Sequence, residues 1–170
     1  MSTLDPQIVV KPEMTFIGMQ TAFIHALSPD ANNTEMIGTL WCRFLPVADS
    51  VTNRIGNDMF GLIFQEPESS RSHKHELQYI AAVQADSQPT VPEGMVCRKI
   101  PSIRFAVFTH RGSMDAIGET VGKIYREWLP ASGFQQADVD DIEHYDQRFC
   151  PESAESEMEY WIPLQESQSS

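Results

Sequence analysis

The residues best suited to chemistry lie near the C-terminus, in Glu157-Met-Glu-Tyr-Trp-Ile-Pro-Leu164. Read as a strand, this stretch places Glu157, Glu159, Trp161 and Pro163 on one face and Met158, Tyr160, Ile162 and Leu164 on the other. A carboxylate beside an indole attracts an organic cation through its charge and through the negative face of the ring, which makes Glu159 and Trp161 a candidate binding pair. The same pattern also describes a wet strand face, where most strand carboxylates are found. Ile142-Glu-His-Tyr-Asp146 repeats the theme, with Glu143 and Tyr145 alternating onto one face. If aromatic rings enclose Glu159 at the bottom of a site, desolvation predicts a raised pKa when that site is empty.

Other chemistries find little support. His73 and His75 are two apart in a polar loop but have no third ligand nearby, so no metal site is expected. The acids Asp138, Asp140, Asp141, Glu143 and Asp146 lack the glycine and terminal glutamate of a calcium loop. Nucleophile-elbow and phosphate-loop motifs are absent, and no catalytic residue or cofactor is expected. Cys42, Cys97 and Cys150 form no CxxC pair and read as free thiols of a reducing compartment.

The elements that would position these residues form a repeat. Glu76–Val83 lies over Glu157–Leu164 at an offset of 81, Gly38–Pro46 over Gly122–Pro130 at 84, and Pro12–Phe16 over Pro101–Phe105 at 89. Three matches in one order predict a duplicated unit, with halves of about 7–84 and 95–164 joined by a Pro- and Gly-bearing linker at 85–94. Period-two alternation predicts strands at 14–23 and 103–109, and apolar stripes predict helices at 34–45 and 115–129. Asn32 or Asn33 and Ser113 or Asp115 are the expected N-caps, and Pro46 and Pro130 the expected stops. Strand pairs follow at 58–64 with 76–84 and at 140–148 with 157–164, and 165–170 reads as a frayed tail. The expected fold is α+β: two βαββ units forming a curved antiparallel sheet of about eight strands, with two helices and a central groove, in a single domain spanning 1–170. Trp41, Tyr125 and Trp128 sit on the helical stripes, where a core role competes with ligand contact. Gln78 stands where the second half has Glu159, so that charge occurs once.

The chain has 170 residues, 12 Lys plus Arg and 24 Asp plus Glu, for a net charge of −12. Such a field repels phosphates, so direct nucleic-acid binding and anionic membranes are not expected, whereas cations and a basic protein partner are compatible with it. The hydrophobic share of 41% is enough for a core. The N-terminal residues lack the pattern of a signal peptide and no apolar run reaches membrane-span length, which predicts a cytoplasmic location.

Together Leu40-Trp-Cys-Arg-Phe44, Met59-Phe-Gly61, Tyr125-Arg-Glu-Trp-Leu-Pro-Ala-Ser-Gly133, Ile142-Glu-His-Tyr145 and Met158-Glu-Tyr-Trp-Ile-Pro-Leu164 resemble the GyrI-like effector-binding domains of AraC-type and multidrug-sensing regulators. Similar domains stand alone in gyrase-inhibitor and integron cassette proteins. The resemblance spans about 7–164 and implies a hydrophobic groove for lipophilic, often cationic, molecules. It assigns the pocket carboxylate to Glu159, the helix tryptophan to Trp41, and the Glu-x-Tyr strand to Glu143 and Tyr145. The expected ligand contacts are thus Glu159, Trp161, Trp41, Phe44, Tyr145, Phe16, Glu143 and Tyr125. A stand-alone binder is the leading expectation; the resemblance also allows a hydrolase of reactive cyclopropane-type toxins or a protein-binding module.

Overall fold

The computed structural model describes residues 4–166, so the expected frayed tail from 167 onward lies outside the described residues. Among the described residues eight strands form: β1 (Gln7–Lys11), β2 (Met14–Ile24), β3 (Met59–Phe64), β4 (Glu76–Ala85), β5 (Val96–Ile100), β6 (Ile103–Arg111), β7 (Asp141–Tyr145) and β8 (Glu157–Leu164). Helix α1 (Asn33–Phe44) precedes β3, and the second helical segment precedes β7. That segment is α2 (Ile117–Lys123), a π turn at Ile124–Trp128, and α3 (Leu129–Ser132). The fold is α+β, built from two βαββ repeats.

The chain divides into two compact units. One is Met14–Ile100; the other combines the segment ending at Glu13 with the segment beginning at Pro101. In the first, β4 pairs antiparallel with both β3 and β2, and β2 also pairs with β5. The second has the same plan, with β8 pairing to both β7 and β6, and β6 also pairing to β1. The leading strand of each repeat therefore serves the unit built from the other repeat. β1 and β5 escaped sequence reading because each is only five residues long and lacks a clean polar–apolar alternation: β1 leaves Ile8 and Val10 exposed.

In the first unit Leu40 and Phe44 of α1 pack on Ile17, Phe23, Tyr79, Ala81 and Val83 of the sheet, all buried. Each such large side chain contributes roughly 1.5–3 kcal/mol by leaving water. The opposite face of the same sheet holds Phe16 against Phe60, with centroids 4.9 Å apart. In the second unit Trp128 meets Phe108 edge-on at 5.0 Å and stacks with Phe134. The buried His110 of β6 contacts Thr120 of α2 through Nδ1 at 2.8 Å and the Ser113 carbonyl through Nε2 at 2.9 Å.

Two local expectations change. Asn32 occupies the N-cap position of α1, but its side chain accepts the Ile24 N–H at 2.7 Å and ties down the preceding loop instead. Pro130 does not stop its helix. The Leu129 N–H reaches back to the Ile124 carbonyl in a widened turn, which accommodates the pyrrolidine ring, and the helix ends at Gly133 with φ +80°. Ser113 acts as expected, its hydroxyl accepting the Asp115 N–H at 3.1 Å.

β2 runs so close to β4 that a Cβ on Gly18 would lie 1.9 Å from the Ala81 carbonyl oxygen, whereas a Cβ on Gly38 of α1 would meet nothing within 4 Å. Gly18→Ala should therefore cost about 3 kcal/mol or more, since backbone must move. Gly38→Ala should instead stabilise by about 0.5–1 kcal/mol. Urea denaturation midpoints of the two variants check this pair.

Candidate functional site

Cross-strand register sorts the acids of the second unit onto two faces. Ile142 pairs with Trp161, Glu143 with Tyr160 and His144 with Glu159, and directly paired residues share a face. Ile142, His144, Glu159 and Trp161 therefore point one way, while Asp141, Glu143, Tyr145 and Tyr160 point the other. The second set faces the helix, as the contact of Tyr125 with Asp141 establishes.

On the helix-covered face Asp141 is buried, and its carboxylate is held by three neutral donors. Tyr125 and Tyr160 hydroxyls both donate to Oδ2, the latter at 2.7 Å, and the Gln136 amide donates to Oδ1 at 3.2 Å. Burial pushes the Asp141 pKa up to about 6; the three hydrogen bonds hold it down and the neighbouring Asp140 adds to the rise. Burial also pushes both tyrosines well above their ordinary value, with Asp141 adding to the shift. Beside this cluster Glu143, 7% exposed, accepts the Tyr145 hydroxyl at 3.0 Å.

The opposite face carries Glu159 and Trp161, and there the protein supplies its own cations. Glu159 Oε1 lies 2.9 Å from His144 Nδ1 and accepts the Trp161 indole N–H at 3.0 Å, while Oε2 accepts Arg148 Nη2 at 3.0 Å. Lys11 Nζ sits over the Trp161 ring, 4.4 Å from its centroid. The expected upward pKa shift is thus corrected. His144 first of all, with Trp161 and Arg148, draws the Glu159 pKa down to about 2, outweighing the desolvation that sequence reasoning counted alone.

In the first unit Trp41 is half-buried on α1 and donates its indole N–H to the Tyr79 hydroxyl at 3.0 Å. Phe44 and Phe16 are 0% exposed, the first under α1 and the second on the other sheet face against Phe60. The eight expected contacts therefore fall into separate groups: Tyr125, Glu143 and Tyr145 together; Glu159 and Trp161 on the opposite face; Trp41 with Phe44; and Phe16 behind them. Sequence reading had considered Asp141 only within an acidic run that does not match a calcium loop, and had placed Tyr160 on the strand face away from Glu159. Their signal was the alternation itself, since Asp141 shares the parity of Glu143 and Tyr145, and Tyr160 pairs with Glu143. His73 and His75 engage Asp30 at 2.9 Å and Ser28 at 3.0 Å.

Because the Glu159 pKa is lower folded than unfolded, its contribution to stability is present above its ordinary value of 4.5 and is lost as pH falls toward about 2. The wild type should exceed Glu159→Gln in urea midpoint at pH 6, and the gap should close progressively below pH 4.5.

A family model described as "GyrI-like small molecule binding domain" matches residues 4–165. The chain is similar to transcriptional regulator BrlR of Pseudomonas aeruginosa, 31% identical over 160 residues, covering 93% of this chain and 54% of BrlR, so it spans about half the length of that relative. The probable transcriptional regulator YgiV of Escherichia coli is 26% identical over 147 residues, 84% of each chain. In fold the chain is similar to SAV2435 bound to tetraphenylphosphonium, with a TM-score of 0.70, 14% identity, and coverage of 95% of this chain and 94% of that one. No helix among the described residues is long and apolar enough to cross a membrane. With a family model covering nearly its whole length and a relative at 31% identity, the chain belongs to the GyrI-like small-molecule-binding domain family.

Proposed function

We propose that this domain binds lipophilic cations, and that the charge is recognised on the helix-covered face of the second unit by Asp141 and Glu143 among Tyr125, Tyr145 and Tyr160. The observation that carries this reading is the buried Asp141 carboxylate held by neutral hydroxyl and amide groups. A carboxylate placed so is stabilised as an anion by any cation that approaches, and the surrounding phenol rings offer their negative faces to a positive centre. The equivalent strand positions in the first unit are Gly61 and Ile63, so the duplication holds this acid pair once. The similarity to a protein whose structure holds tetraphenylphosphonium supports the same ligand class.

In the first unit Trp41 holds its half-buried indole against Tyr79. Phe44 and Phe16, without exposed area, support the neighbouring rings from behind. The charge asymmetry agrees with the assignment: the unit containing Asp141 holds fifteen of the twenty-four acids and six of the twelve Lys and Arg, a net −9 against −3 for the other.

The test compares tetraphenylphosphonium with neutral triphenylphosphine oxide, titrated into wild type and Asp141→Asn. The variant should lose about 1–3 kcal/mol of cation affinity and almost none for the neutral compound. It should remain folded, because an unfavourably buried charge has been removed. Wild-type affinity for the cation should also fall as pH drops through about 6, where Asp141 takes up its proton. Equal losses for both compounds, or a flat pH profile, would remove Asp141 from the site.

A further inference from the structure

We propose that the outer edge of β1 is a self-complementary interface, through which two copies of this domain pair antiparallel about Val9, with Ile8 of each copy opposite Val10 of the other. Within its unit the strands run β1-β6-β8-β7, so β1 is outermost, and among the described residues β6 is its one strand partner. Its outward N–H and C=O groups form a template for another strand.

Natural edges are commonly blunted by a bulge, a proline or a charge that projects along the edge. This one has none of these. Gln7–Lys11 pairs with β6 residue for residue, from Gln7 opposite Val107 to Lys11 opposite Ile103, and the flanking prolines, Pro6 and Pro12, lie outside the strand. The one charge, Lys11, is drawn over the sheet face, where its Nζ sits 4.4 Å from the Trp161 ring centroid. Ile8 and Val10 pair with Ala106 and Arg104 on the helix-covered face, yet remain 43% and 65% exposed. The outer strand of the first unit is different. β5 has Arg98 at its centre and exposed Lys99 beside it, so pairing with its own copy would set like charges against each other.

The sequence of β1 selects a second copy as the occupant. An antiparallel pair related by a twofold axis must be centred on a residue, and centring on Val9 engages all five residues of both strands. Ile8 then meets Val10 twice, Val9 meets itself, and Lys11 meets Gln7, so β-branched side chains face one another and no like charges oppose within the strands. Such an interface is closed, because each copy uses up the edge of the other. Each chain carries −12, so long-range repulsion opposes association and salt should favour it. Neither acid cluster of the second unit takes part, which makes the proposal independent of cation binding.

The experiment is sedimentation of the whole chain over a range of concentration, for wild type and two double variants at exposed side chains. Wild type should rise toward twice the single-chain mass with concentration, and more readily at higher salt. Ile8→Lys with Val10→Lys sets like charges opposite each other twice and should weaken association by about tenfold or more. Ile8→Glu with Val10→Lys sets opposite charges together in this register and should restore the dimer, now weakened by salt. Hydrogen exchange of β1 amides in wild type should slow as concentration rises, a readout that needs no variant. A wild type that stays monomeric with β1 exchange independent of concentration would overturn the proposal, and would be the result if the edge serves an unrelated protein. So would a dimer that survives Ile8→Lys with Val10→Lys, or a folded Ile8→Glu with Val10→Lys chain that stays monomeric.

Discussion

Much of what this domain can do depends on the register of β7 against β8. With Ile142 opposite Trp161, the odd-numbered acids of β7 enter the helix-covered face and Glu159 enters the other. A slip of one residue in β7 would turn its side chains over, sending Asp141 and Glu143 onto the face of Glu159 and Trp161. The register is held from both sides at once. Ile142, Trp161 and Phe105 are buried on one face, and Tyr160, Ile162 and Phe108 on the other, so no slipped pairing keeps both apolar sets out of water.

The two carboxylate clusters illustrate how neighbours determine what an acid can do. Asp141 is desolvated and meets neutral donors, so its charge is costly and responsive to an added cation. Glu159 is partly desolvated too, yet His144, Trp161 and Arg148 more than compensate, and it remains ionised far below neutral pH. The two groups stand on neighbouring paired strands, β7 and β8, and the side chains are chemically near-identical. What differs is whether the neighbours bring phenol hydroxyls and an amide, or an imidazole with an indole N–H and a guanidinium.

Duplication supplied the scaffold on which this difference arose. Tyr79 and Tyr160 occupy equivalent strand positions, and Trp41 and Tyr125 equivalent helix positions, so each unit has a helix aromatic group engaged with a strand tyrosine or its partner. In the first unit that contact is an indole N–H on a phenol, with apolar Ile63 on the neighbouring strand. The second unit inserts Asp141 between two phenols, and its helix passes through a π turn at the residue that reaches the carboxylate. The departure from regular helix is thus located at the most polar contact of the buried helix face, as π turns frequently are.

The strand–helix–strand–strand order of each repeat, the duplication and the family were legible in the amino-acid sequence, because hydrophobic periodicity and repeat spacing are local properties that survive without knowledge of contacts. The aromatic and acidic character of the candidate site was legible for the same reason, in Glu143, Tyr145 and Tyr125. The exchange of β1 and β5 between units was not, since short edge strands are identified by the partner whose hydrogen bonds they complete. Nor was the state of Glu159: its pKa depends on a histidine fifteen residues away and an arginine eleven residues away, brought to 2.9 and 3.0 Å only by the hairpin. Asp141 was concealed in an acidic run whose composition suggests solvent. Burial under the helix carrying Tyr125 distinguishes it from its neighbours, and that is a fact of tertiary packing, because desolvation is set by what lies above a side chain rather than by what lies beside it in the chain.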